Sequence, residues 1–399
     1  MRFLRITVFA VATVFGIGAV AAPSASASRP GTVTAWAPGM ADGGRAFGDE
    51  TVRAVVPPTA SGTGARIRIS NTYGTVPLVI DSAGVGLQAS GPAVAPGTAR
   101  EVRFTGRKSV TVAAGREVLS DPVPLTVGPD RSVLVSIHVP GTTGPSTWHS
   151  DAFRTSYSAD GNRVRDTGGQ PFTRTATSWF FVSGLYLESA VTHRTVVAFG
   201  DSITDGFITP VDAGATWPDR LSGRLGRQAS VVNAGIGGNR VLTDAPDIWQ
   251  GLSARKRFRH DALDVPGVAT VVLVEGINDI GNNAGPGGTD LTAADLIDGY
   301  RTLIGQARAA GIRIVGGTLL PMRGAEYFTE HTEALRQQVN SWIRTAGAFD
   351  AVADFDASTR SAADPIALNP AYDSGDHLHP NAAGMAAMAN AIDPATLFG

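Results

Sequence analysis

Thr195-Val196-Val197-Ala198-Phe199-Gly200-Asp201-Ser202-Ile203-Thr204-Asp205-Gly206 decides how the chain is read. Its first five residues are apolar or β-branched and end at a glycine. That pattern predicts a buried parallel strand closing in a sharp turn. The serine that follows opens a segment able to form a helix. A strand-to-helix turn lies at the carboxyl end of a sheet, where open α/β folds hold their ligands. The Ser202 N–H then belongs to a first helical turn, a place suited to a developing negative charge. Ser202 is therefore the candidate nucleophile, and the remaining chain has to supply a base, an orienting group and further oxyanion donors. Taken alone, Gly200 to Gly206 reads equally well as a serine capping an ordinary helix.

Downstream of Arg194 the pattern alternates between strands and helices, the signature of a doubly wound parallel sheet covered on both faces. Expected strands are Thr195–Phe199, Ser230–Asn233, Thr270–Glu275, Arg313–Leu319 and Ala351–Asp354; expected helices are Ala215–Leu225, Asp247–Arg259, Ala293–Ala310, Glu326–Thr345 and Asn381–Ala391. Asp290-Leu291-Thr292 offers caps for the third helix, and Gly311 suits its end. Gly281 to Gly288 reads as a loop directly after the third strand. Upstream, from about Arg29 to Glu188, short alternating runs are punctuated by Gly, Pro, Asn and Asp. Thr51–Val56, Ala65–Ser70, Leu78–Gly84, Glu101–Phe104, Ser109–Ala113, Arg131–Val139 and Ser178–Leu187 predict an all-β sandwich or jelly roll. Its aromatics Trp36, Tyr73, Trp148 and Tyr157 either fill the core or stack on sugar rings, the core reading being favoured.

Composition narrows the class. A chain of 399 residues with 43% hydrophobic and 17% charged residues is globular and long enough for two cores. A formal charge of -2 gives no footprint for nucleic acid or an anionic membrane. The short basic run Arg255-Lys256-Arg257-Phe258-Arg259 reads as a solvated helix face. Arg2 and Arg5, the apolar stretch Ile6–Ala22 and the small residues Ala25-Ser26-Ala27 read as a signal peptide over 1–27, cleaved near Ala27–Ser28. No stop-transfer segment follows, so a secreted protein without a membrane span is expected. The chain has no cysteine, which excludes disulfides and thiol chemistry. The expected organisation is a β-domain over 28–190, a boundary at Val191–Arg194 and an α/β domain over 194–399.

Three further clusters fall where such a sheet places them beside Ser202. Asn233-Ala234-Gly235-Ile236-Gly237-Gly238-Asn239-Arg240 follows the second strand, and its glycines let backbone N–H groups approach a ligand. It lacks the ending of a phosphate loop and the spacing of a dinucleotide fingerprint. Glu275-Gly276-Ile277-Asn278-Asp279 ends the third strand and offers a side-chain amide to an oxyanion. Asp376-His377-Leu378-His379-Pro380 supplies a histidine base and, three residues before it, a carboxylate to orient it. Metal binding by Asp373, Asp376, His377 and His379 is the lesser reading, because no third segment offers ligand spacing. Asn239, Arg240 and Asp279 either contact substrate or brace the loops. Asp205 reads as satisfying backbone donors in the first helical turn. There is no Gly-x-Ser-x-Gly elbow.

Together these four clusters resemble the SGNH/GDSL hydrolase superfamily, with its blocks in order over about Arg194 to Gly399. The whole chain is similar to the secreted two-domain bacterial esterase/lipase branch. The resemblance implies a three-layer α/β/α, flavodoxin-like domain and cofactor-free, metal-free ester hydrolysis. It implies Ser202, Asp376 and His379 as the triad. It also implies the Ser202 and Gly238 N–H groups and the Asn278 amide as the oxyanion hole. The substrate it implies is a small-molecule, polysaccharide or lipid ester; carbohydrate deacetylation and acyl transfer use the same site. It leaves oligomeric state open.

Overall fold

The computed structural model describes residues 31–189 and 194–399. The expected signal peptide, and most of the expected boundary segment, lie outside the described residues. The decisive stretch is a strand, β1 (Arg194–Gly200), buried at every position after Arg194. Odd and even residues are covered alike, so both faces of the strand are packed. With β2 (Ala229–Gly235), β3 (Val268–Val274), β4 (Arg313–Gly317) and β5 (Ala351–Ala353) it forms a five-stranded parallel sheet in the order β2-β1-β3-β4-β5. The order reverses around β1, which is where such a sheet opens a crevice at its carboxyl ends. Gly200 is level with Gly235 on one side and Val274 on the other. The three loops beyond them therefore start from one level, and they carry Ser202, Gly238 and Asn278.

Two of these glycines are demanded by close approach. A Cβ on Gly200 would lie 2.2 Å from the Val274 carbonyl, and one on Gly235 would lie 2.3 Å from the Asp205 nitrogen. The chain can turn so tightly only without side chains there.

The helices are α1 (Ser202–Asp205), α2 (Trp217–Leu225), α3 (Ala254–Phe258), α4 (Ile277–Gly281), α5 (Ala293–Ala309), α6 (Glu330–Thr345), α7 (Phe355–Thr359) and α8 (Ala382–Ala391). Thr216, Thr292 and Thr329 close capping boxes at the starts of α2, α5 and α6. The Thr329 cap is why α6 begins at Glu330 and not at Glu326. Helix α5 buries Leu296, Tyr300, Leu303, Ile304 and Ala307, one stripe at helical spacing.

The expected helix over Asp247–Arg259 is instead three pieces: a 3₁₀ turn at Ile248–Gln250, helix α3, and a π turn at Arg259–Leu263. Gly251 at φ +73° ends the first piece. Within the basic run Arg255, Lys256 and Arg259 are exposed as expected, but Arg257 is buried beside Phe258. The loop expected over Gly281–Gly288 does not follow β3 directly, since α4 intervenes.

The N-terminal region is rich in antiparallel strands. One sheet runs Arg174–Ala176, Ser156–Asp160, Glu50–Val56, Val133–Val139, Ser82–Ser90, Ala93–Val94. Another runs Thr32–Trp36, Val182–Glu188, Ala65–Asn71, Arg116–Leu119. A third joins Trp179–Phe180, Ser146–His149 and Ala41–Gly44, and a fourth pairs Leu78–Ile80 with Val110–Val112. Two runs read as single strands are split between sheets. Leu78–Gly84 divides at Asp81. Ser178–Leu187 divides at buried Phe181, whose φ of +60° turns the chain between two partners. Trp36 is buried edge-on against Trp179, 4.8 Å between ring centres, so it is a core residue.

One apolar cluster draws on residues from Val33 to Leu187, a second on residues from Val196 to Leu397. Ala37 belongs to the second, so the first strand's end packs on the parallel-sheet core. Polar contacts join the regions as well. Thr34 Oγ1 donates to the Pro266 carbonyl at 2.7 Å, Glu117 lies 3.5 Å from His260, and His149 lies 3.0 Å from Asp205. Among the described residues no helix is long and apolar enough to cross a membrane.

Candidate active site

Ser202 opens α1, and Asp201 caps it by accepting from the Ile203 N–H at 3.0 Å. The Ser202 hydroxyl is 2.8 Å from His379 Nε2. His379 Nδ1–H donates to Asp376 Oδ2 at 2.6 Å. The other Asp376 oxygen accepts from Ser374 Oγ, the Leu378 N–H and the His379 N–H. The carboxylate thus folds its own turn around itself and presents the imidazole. Burial would raise the Asp376 carboxyl, but the His379 backbone and ring donors hold it down to about 2. It is therefore ionised near neutral pH, and Nδ1 keeps its proton while Nε2 accepts from the serine. The Phe207 ring packs on the imidazole at 4.7 Å between centres.

The oxyanion candidates are tied to this group by short links. Gly238 takes φ +72°, and among the described residues neither its N–H nor that of Ser202 donates to a protein acceptor. Asn278 Nδ2 donates to the Asn239 carbonyl at 2.9 Å, and its Oδ1 accepts from Tyr327 at 3.1 Å. That leaves the second amide proton of Asn278 without a protein partner. The structure brings Ser202, His379 and Asp376 into direct contact, and it joins Asn278 to the residue after Gly238.

Two of the residues left open by the sequence, Asp279 and Asn239, are braces. Asp279 accepts from the Val241 and Leu242 N–H groups at 2.8 and 3.0 Å. Asn239 donates to Gln250 and Leu252 carbonyls and accepts from Arg257. Asp205 does not cap the turn, contrary to expectation; Asp201 does. One Asp205 oxygen instead meets His149 and the other accepts from the Gly237 N–H at 3.2 Å. His377 pairs with Asp373 at 2.5 Å, away from Ser202. Among the described residues no group of three or more His, Asp or Glu side chains converges as a metal site.

Beneath the loops lies a buried polar cluster that spacing alone did not reveal. Arg257 donates to the Gly200 and Ala234 carbonyls at 2.9 and 2.8 Å, pinning the ends of β1 and β2. It also reaches Asp261 at 3.2 Å and Glu275 at 3.4 Å, and its guanidinium lies 3.9 Å over Phe199. Burial raises Glu275 well above the usual carboxylate range, and raises Asp201 and Asp279 to about 7. Arg257 stands three residues after buried Ala254 and four before Asp261, a helical spacing against which its charge argues.

The α/β fold thus sets a serine at the β1 turn against a histidine from the C-terminal turn. Residues 198–387 match the GDSL-like lipase/acylhydrolase family model, and this domain is an SGNH-type hydrolase acting on esters. The N-terminal strand-rich region lies outside that match. A search of curated proteins found no match. Among solved structures it is similar to a putative lipolytic protein of the G-D-S-L family from Desulfitobacterium hafniense, at 21% identity, 50% of this chain, 97% of that one and a TM-score of 0.38. It is also similar to the M. smegmatis aryl esterase, at 16% identity, 50% and 95% coverage and a TM-score of 0.40. A carbohydrate acetylesterase from Sinorhizobium meliloti gives 15% identity, 50% and 95% coverage and 0.39.

Proposed function

We propose that the protein is an exported serine esterase that cleaves carboxylic esters through an acyl-enzyme on Ser202. The observation that carries this reading is the unbroken chain from Asp376 through His379 to the Ser202 hydroxyl, at 2.6 and 2.8 Å. His379 Nε2 takes the hydroxyl proton as Oγ attacks the ester carbonyl. Ionised Asp376 holds the Nδ1 proton and offsets the charge of the imidazolium. The tetrahedral oxyanion is received by the Ser202 and Gly238 N–H groups and the free Asn278 amide proton. His379 returns its proton to the leaving alcohol, and water then releases the acid with His379 again as base.

The loop after α1 supports an ester with an apolar part. Phe207 covers one face of the imidazole, and it, Ile208 and Val211 are exposed at 41%, 42% and 47%. In this proposal the signal segment 1–27 is removed on export, and residues 28–190 and 194–399 are the two domains. A 4-nitrophenyl ester series from acetyl to palmitoyl, with acetylated xylan beside it, tests the reading against Ser202→Ala. Turnover that Ser202→Ala abolishes supports it, and the acyl length at which turnover peaks sizes the pocket. Turnover unaffected by Ser202→Ala refutes it.

A further inference from the structure

We infer that His149, a residue of the N-terminal strand-rich region, is a positioning residue for the oxyanion side of the site, acting through Asp205 on the Gly237–Gly238 backbone. The inference rests on the reading of Gly238 as an oxyanion donor. Three contacts in series carry it. His149 Nδ1 lies 2.8 Å from the Gly39 carbonyl, His149 Nε2 lies 3.0 Å from Asp205 Oδ1, and Asp205 Oδ2 accepts the Gly237 N–H at 3.2 Å. The pair is sealed from water, with side-chain exposures of 3% and 4%.

The protons are fixed by elimination. A carbonyl oxygen only accepts, so Nδ1 carries a proton toward Gly39. One further proton then sits between Nε2 and Oδ1, on either atom. The histidine cannot turn away without leaving a buried carboxyl group unpaired, which is costly in a dry site. Asp205 is therefore held in one rotamer, and it presents its second oxygen to Gly237.

Both ends of this link are themselves fixed. Asn233 Nδ2 donates to the Thr204 and Asp205 carbonyls at 2.8 and 3.3 Å, so the end of α1 rests on β2. Gly39 lies directly on the oxyanion loop: a Cβ there would be 2.9 Å from Ile236 Cγ1 and 3.2 Å from the Ala234 carbonyl. A second contact from the same region secures the other wall. The Thr155 N–H and hydroxyl donate to Asp212 at 2.8 and 2.6 Å, and the Asp212 N–H donates back to the Phe153 carbonyl. Phe153 also meets Phe207, the ring that packs on His379. The parallel sheet builds the nucleophile turn, and the N-terminal region holds the loop opposite it.

The test uses the full chain and 4-nitrophenyl butyrate, with phenylboronic acid as a tetrahedral analogue whose B–O group occupies the oxyanion position. His149→Ala and Asp205→Ala are expected to lower kcat roughly tenfold to a hundredfold, short of the 10²–10³ for outright loss of a donor. KM should stay within about threefold, and boronate affinity should fall in step with kcat, because the effect is on the tetrahedral species. Asp205→Asn is expected to recover most of the Asp205→Ala loss. Its carbonyl accepts from Gly237 and its amide donates to neutral His149. His149→Gln, which keeps a donor toward Asp205, is expected to recover part of the His149→Ala loss. These two variants carry the test if either alanine variant does not fold. Folded His149→Ala with unchanged kcat overturns the inference, as does Asp205→Asn or His149→Gln crippled to alanine level with native circular dichroism. Ser202→Ala runs beside them. If it retains turnover, the esterase reading falls; if it is dead while His149→Ala is unaffected, only the positioning role falls.

Discussion

The two halves of the molecule each bring a histidine to the turn that carries Ser202, and they use it differently. His379, from the C-terminal turn, gives Nδ1 to the Asp376 carboxylate and Nε2 to a hydroxyl. His149, from the N-terminal region, gives Nδ1 to a backbone carbonyl and Nε2 to the Asp205 carboxylate. Asp376 is held at about 2 by its donors, whereas burial first of all pushes Asp205 up. The same residue pair thus makes a base in one place and a clamp in the other. What separates them is which ring nitrogen meets the carboxylate, and whether the other nitrogen is left facing a group that can react.

The largest effect should fall on the first pair. Ser202→Ala and His379→Ala are each expected to lower kcat by more than about 10³-fold, and the double variant by no more than either alone, because they act as one unit. Steady-state kinetics on one 4-nitrophenyl ester measures this. If His379→Ala loses no more than His149→Ala, the contrast between base and clamp is wrong. Next comes Asn278→Ala, expected to cost about 10²–10³ in kcat with little change in KM. A KM effect alone would make Asn278 a ground-state contact and move the oxyanion site elsewhere.

The halves differ also in how they bury an arginine. Arg53 in the N-terminal region meets Ser136 and the carbonyls of Pro92 and Asp166, and burial lowers it to about 10. Arg257 meets carbonyls too, but adds Asp261 and Glu275. Removing a partner from a buried charged group costs about 3–5 kcal/mol, while stranding neutral acceptors costs about 1–3 kcal/mol. Arg257→Met should therefore destabilise more than Arg53→Met in urea unfolding. Equal losses would mean that the carboxyl groups around Arg257 are neutral and contribute only as acceptors.

How much of this was legible follows from what each residue needs. The strand ending at Gly200 and the turns at Gly238, Asn278 and His379 were readable, because their chemistry depends on neighbours close in sequence and on one sheet register. Thr292 and Gly311 were readable as helix ends for the same reason. Arg257 was misread because a charged residue at helical spacing looks solvated until the strand carbonyls it pins are known. Asp205 was misread because its partner lies 56 positions away in another sheet. The split of Ser178–Leu187 was hidden because a buried Phe181 at φ +60° leaves no mark in an apolar run. Long-range polar pairing and backbone bends inside a core are set by tertiary packing, which hydrophobic periodicity does not encode.

The smallest expected effect concerns the acids beneath the active-site loops. Burial raises Asp201 and Asp279 to about 7, above an unfolded value near ~3.9. Asp201 Oδ1 serves the Ile203 N–H, while Oδ2 is buried without a partner, the natural seat for a proton. A folded-state pKa above the unfolded one means that the native state holds its proton longer. The stability this gives is complete below the unfolded value and is lost as pH rises through 7. The melting temperature should then fall by a few degrees between pH 5 and pH 8. Asp201→Asn keeps an acceptor for Ile203 and cannot ionise, so it should reduce that slope, leaving the share of Asp279. The His149–Asp205 pair adds to the fall above pH ~6.5, because the folded pair keeps a proton that an unfolded histidine releases there. A melting temperature that rises from pH 5 to pH 8, or a slope that Asp201→Asn leaves untouched, would show these carboxyls charged in the folded protein. Arg257 beside Asp201 and Arg240 beside Asp279 would then be the counter-ions.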